Sequence, residues 1–124
     1  MKSMYEILAT ANRYQNNFTA FMSDMGYETQ TTFYLDFTIC DLADSNTERI
    51  NAVKDTYNRA FKAWKDNTEY ISELVIVLNH KIWQHYEKNE ELARVYNDLW
   101  ERLSNWCYDN LKGEDLNYFC RVTD

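Results

Sequence analysis

No proline interrupts the 124 residues of this chain, and glycine occurs only at positions 26 and 113. Proline breaks helix interiors and glycine weakens them, so a chain almost free of both is suited to long helices. Four tryptophans, ten tyrosines and six phenylalanines add the second constraint. They recur at steps of three and four, the spacing that lines one face of a helix with large apolar groups. The expected fold class is all-α: a compact bundle of about four main helices plus a short C-terminal helix.

A first helix is expected over about Ser3 to Asp24, where Ser3 and Glu6 have capping-box spacing. Met4, Ile7, Ala11, Tyr14, Phe18, Phe21 and Met25 form a heptad seam along it. That seam folds onto the rest of a single 1–124 domain, or residues 1–24 stand as a semi-independent helix that pairs with another chain. Residues 27–41 are ambiguous. Thr31, Phe33, Leu35, Phe37 and Ile39 alternate with polar neighbours as a strand would, whereas Phe33, Phe37 and Cys40 fit a short helix. A strand needs a partner, and no second candidate exists, which favours helix plus an irregular connection.

Ser45 and Glu48 form a sharper capping box. Behind it Ile50, Val53, Tyr57, Phe61 and Trp64 make one stripe to about Lys65, and Asp66-Asn67-Thr68-Glu69 supplies polar caps for the next helix, about 68–87. Ile71, Leu74, Val75, Leu78, Ile82 and Tyr86 line one face of that helix, with Val77 and Trp83 off it. An apolar surface reaching more than half way round predicts the central, most buried element, with Trp83 inside. Asn89 caps a last long helix, about 90–111, striped by Leu92, Val95, Tyr96, Leu99, Leu103, Trp106 and Cys107. Gly113 fits a left-handed helix terminus, and the turn from Glu114 to Phe119 tucks Leu116 and Phe119 inward.

The net charge of −7 argues against binding nucleic acid or anionic membrane, both of which need clustered Lys and Arg. The longest apolar run, Leu74 to Leu78, is far too short to span a membrane. The N-terminus lacks the unbroken apolar stretch of a signal peptide, and Cys40, Cys107 and Cys120 have no ligand spacing. The expectation is a cytoplasmic protein with reduced thiols.

Several stretches carry a resemblance. They are Phe21-Met22-Ser23-Asp24-Met25-Gly26-Tyr27, the segment from Thr31 to Ile39, Asp55-Thr56-Tyr57, Glu73-Leu74, Leu78-Asn79-His80-Lys81 and Leu111-Lys112-Gly113-Glu114. Through them the chain resembles a family of small acidic helical proteins of gut bacteria (Bacteroides-like) and their phages and mobile elements. The resemblance implies a helical fold and that setting. It brings no activity, cofactor or catalytic residue.

Chemical motifs are sparse. His80 and His85 are five residues apart and point to different sides of a helix, so they do not share a metal. Glu73, His80 and Glu87 share a face, but about 10 Å separates successive members. The paired Glu-x-x-His motifs of a di-iron bundle are missing from the sequence. Cys107 lies on an apolar stripe, as a packed, inert thiol does. Neither glycine belongs to a phosphate loop. No catalytic residue, cofactor or metal is therefore expected.

Tyr5, Tyr27, Tyr34, Tyr70, Tyr108 and Tyr118 are expected to be partly exposed, with polar tips in water. What remains is a helical protein acting on a protein partner, itself monomer or homodimer, in a regulatory or accessory role. Its candidate surface is Met4, Ile7, Tyr14, Phe18 and Phe21. One alternative is an acidic decoy for a DNA-binding protein, using Glu90, Glu91, Asp98, Glu101, Asp109, Glu114 and Asp115. The other is an enzyme of a class the motifs do not reveal.

Overall fold

The computed structural model describes residues 29–123. The helix expected over about 3–24 and the surface Met4, Ile7, Tyr14, Phe18 and Phe21 lie outside the described residues. Within them the chain forms five helices and no strand: α1 (Thr29–Asp41), α2 (Asn46–Trp64), α3 (Thr68–His85), α4 (Glu90–Asn110) and α5 (Glu114–Thr123). The all-α reading holds, and residues 31–39 are helix throughout.

Local chemistry sets the boundaries. The Ser45 hydroxyl accepts the Glu48 N–H at 3.1 Å, the Asn67 amide oxygen accepts the Tyr70 N–H at 3.0 Å, and that of Asn89 accepts the Leu92 N–H at 3.1 Å. Each satisfies a donor that the first helical turn leaves without an internal partner. At the far end Leu111 is extended and Gly113 is left-handed, with φ 58°. Gly113 thus has the left-handed conformation expected of it, two residues beyond the C-cap Leu111. Its carbonyl accepts from Asn117, so it also opens α5.

The four long helices form two antiparallel hairpins, α1–α2 and α3–α4. Residue pairs fix how the hairpins lie together. Tyr34 meets Gln84 and Asp41 meets His85, so α1 runs parallel to α3. Asn46 meets Asn89 and Phe61 meets Trp106, so α2 runs parallel to α4. α1 packs on α2 and α3, and α4 on α3 and α2. α2 and α3, although consecutive, touch less than the adjacent pairs of the four long helices and face each other across a diagonal.

The core follows the stripes. Phe33, Phe37, Val53, Tyr57, Ile71, Leu74, Leu78, Leu92, Tyr96 and Leu103 are all buried in one cluster. α3 is the central element, and Val77 is buried on it as expected. Phe119 of α5 closes the cluster, with Leu116 half-buried beside it. Aromatic rings fill the α2–α4 side, where Phe61 stacks on Tyr57 and meets Trp106 edge-on at 5.0 Å.

Two positions, Trp83 on α3 and Tyr86 at its C-cap, contradict the sequence reading. Trp83 is 67% exposed and Tyr86 60% exposed, whereas Lys81 is fully buried. Position 81 lies three and four residues beyond Leu78 and Val77, both fully buried, so the helix aims it inward. Trp83 is two residues further on, about 200° around the helix, and faces water.

Candidate functional site

The bundle end that gathers the C-termini of α1 and α3 with the N-termini of α2 and α4 is polar inside. Asp41, the last residue of α1, is its centre. Its Oδ2 accepts from the Lys81 ammonium at 2.9 Å and lies 2.8 Å from His85 Nε2, while its Oδ1 accepts from the Tyr96 hydroxyl at 2.8 Å. Lys81 also donates to Thr38 Oγ1 at 2.9 Å and rests over the Tyr34 ring, 4.4 Å from its centroid. The Tyr34 hydroxyl donates to Gln84 Oε1 at 2.9 Å. The His85 ring stacks on that of Tyr96.

Burial sets the electrostatics. Loss of water pulls the Lys81 pKa below the ordinary lysine value, and the adjacent Asp41 opposes that pull. Burial also raises Tyr96 above the ordinary tyrosine value, and Asp41 raises it further. An ion pair closed off in this way stabilises only when its remaining polar valences are filled. Thr38, His85 and Tyr96 fill them. The cluster therefore reads as a built internal network whose groups are spent on one another, with side-chain exposures of 0% for Lys81, 8% for Asp41 and 12% for His85. Next to it Asn89 donates to Asn46 Oδ1 at 2.7 Å, joining the starts of α4 and α2.

On the outside, a surface groove of about 430 Å³ runs between α3 and α4, lined by Ile82, Tyr86, Glu90, Ala93, Arg94 and Asn97. Trp83 stands beside it, its ring 5.6 Å from that of Tyr86 and tilted by 48°. Arg94 pairs with Glu90 at 2.7 Å on the groove wall. A second groove, of about 360 Å³ between α1 and α2, is lined partly by Asp36, Cys40, Thr56 and Arg59. Burial pushes the Asp36 carboxyl up to about 6, against the pull of Arg59. The Cys40 thiol, 3.2 Å from Thr56 Oγ1, is pushed up to about 11 by burial.

The residues singled out from sequence fall as follows. His80 is exposed, whereas His85 belongs to the polar cluster. Cys40 and Cys107 are buried, Cys120 is half-buried, and all three are free thiols. Burial pushes Cys107 up to about 12. Tyr34, Tyr70 and Tyr118 are half-buried and Tyr108 is exposed, in line with the reading; Tyr5 and Tyr27 lie outside the described residues. Glu90, Glu91, Asp98, Glu101, Asp109, Glu114 and Asp115 are all exposed. Sequence reasoning missed Asp41, Lys81 and Tyr96 as a unit. Among the described residues no group of three or more His, Cys, Asp or Glu side chains is placed to hold a metal, and no helix is long and apolar enough to cross a membrane.

Comparison with family models, curated proteins and solved structures finds no match for this chain.

Proposed function

We propose that this chain is a binding protein that engages a protein partner through the α3–α4 face. The observation that carries the reading is the exposure of Trp83 (67%) and Tyr86 (60%), in ring contact with each other beside a groove. Tryptophan and tyrosine are the residue types most enriched at energetic hot spots, because they combine large apolar area with a polar tip. The polar groups that would suit chemistry, Asp41, His85, Tyr96 and Lys81, are bonded to one another inside the bundle. That arrangement gives no support to an enzyme.

The acidic-decoy reading has its seven exposed carboxylates, but Arg94 already pairs with Glu90, and exposed Arg102 stands among them on α4. Photocrosslinking in cells tests the preferred reading. With p-benzoylphenylalanine in place of Trp83, an adduct to a polypeptide is expected. The same group at exposed Lys62 on α2 is the control. Equal yields at the two positions, or no adduct at 83, would remove this face as the binding surface.

A further inference from the structure

We infer that the partner on the α3–α4 face is a second copy of this chain, paired through a two-fold axis; the inference rests on the binding reading above. In a two-fold interface the same patch meets itself, so it must carry both members of every complementary pair. This patch does so in shape and in charge. Trp83 projects, 67% exposed, next to a groove of about 430 Å³, and Tyr86 both lines the groove and touches Trp83. The indole of one copy thus has the groove of the other within reach, and the reverse. The groove wall also carries one carboxylate, Glu90, and one guanidinium, Arg94, each 75% exposed and one helical turn apart. When two such helices meet antiparallel, Glu90 of one copy faces Arg94 of the other, twice. An acidic or a basic peptide would complement only one of the two charges.

Trp83 and Tyr86, 67% and 60% exposed, bring roughly 200–300 Å² per copy, against about 800 Å² buried by each side of a standard interface. Exposed Glu90 and Arg94, with half-buried Ile82 and Asn97, contribute to the remainder.

Sedimentation equilibrium of the purified full chain, from micromolar to submillimolar, reads the outcome. A species of twice the 15.0 kDa chain mass is expected. Trp83→Ala should weaken association by at least about tenfold, as loss of a tryptophan hot spot does. Arg94→Glu should weaken it too, by leaving like charges opposed, and the swap Glu90→Arg with Arg94→Glu should restore it. Circular dichroism of each variant checks that the helices are intact. Monomer mass throughout overturns the inference, and so does a dimer indifferent to Trp83→Ala or not restored by the swap. A crosslink from position 83 to a different polypeptide would overturn self-pairing while leaving the binding reading in place. Absence of any crosslink from 83 in a chain that still dimerises would remove both.

Discussion

The imidazole of His85 lies 2° from parallel to the ring of Tyr96, with centroids 5.7 Å apart, and both side chains end on the same carboxylate, Asp41. Stacking fixes the two rings, and so fixes the directions from which Asp41 receives two of its bonds. Lys81 supplies the third from the same helix as His85, one turn earlier.

Asp41→Ala is accordingly expected to be among the most damaging single changes. It leaves Lys81, His85 and Tyr96 without their common acceptor. Removing one partner from a buried charge pair costs about 3–5 kcal/mol. Chemical denaturation measures the loss, and a value under about 1 kcal/mol would show that water reaches the cluster freely. Replacing Lys81 by Met and Asp41 by Leu together should cost less than Asp41→Ala alone, because no charge is then stranded.

Trp83→Ala should leave fold stability almost unchanged when measured on dilute monomer. A side chain 67% exposed has little packing to lose. The expected change is within about 0.5 kcal/mol, as for other surface sites. A loss above about 2 kcal/mol would place the indole against the domain.

Asp36 makes stability depend on pH. Burial raises its carboxyl from 3.8 to about 6 in the folded chain, so folding takes up a proton between those values. Its contribution is fully present below about pH 4 and is lost as pH rises through about 6. Above pH 6 the buried charge costs the folded state at most about 3 kcal/mol, at ~1.4 kcal/mol per pH unit. Asp36→Asn should therefore stabilise the protein at pH 7 and leave it nearly unchanged at pH 4. Equal effects at both would show that Asp36 is solvated.

Asn89→Ala should cost more than Asn67→Ala. Both cap a helix, worth about 0.5–2 kcal/mol. Asn89 additionally donates to Asn46 at 2.7 Å, tying two helix starts together. Paired melting curves decide it, and equal losses would mean the Asn46–Asn89 bond contributes nothing.

Thiol labelling at mildly alkaline pH should find Cys120 first, because it is only half-buried. Cys40 and Cys107, pushed up to about 11 and about 12 by burial, should react on unfolding. Immediate reaction of all three in the native protein would contradict the packing of α1 and α4.

Helix starts were legible in the sequence because they depend on local chemistry: Ser45, Asn89 and one residue of the polar run 66–69, Asn67, each sit where a side-chain oxygen reaches an orphaned N–H. The strand-like alternation of 31–39 misled because Thr32 and Leu35 of α1 are buried as well as Phe33 and Phe37, so burial extends beyond one stripe and blurs the helical period. The polar cluster was hidden by residue type. Helical geometry carries position 81 inward beside Val77 and Leu78 and turns position 83 to water, but a lysine reads as surface and a tryptophan as core until the acceptor is known. That acceptor, Asp41, is forty residues away in sequence, and pairings at such range leave no local trace.

The diagonal link between α2 and α3 divides the charges of the polar cluster between the hairpins. The first hairpin carries the buried anion, Asp41; the second carries the cation, Lys81, with His85 and Tyr96. Each is therefore the other's counterion. If two copies exchanged hairpins so that first met first, two carboxylates would share a dry interior with no ammonium between them. If second met second, two ammonium groups would. Only unlike halves close without a stranded charge, so the cluster acts as a key that accepts one assembly of the four helices and rejects the like-with-like ones.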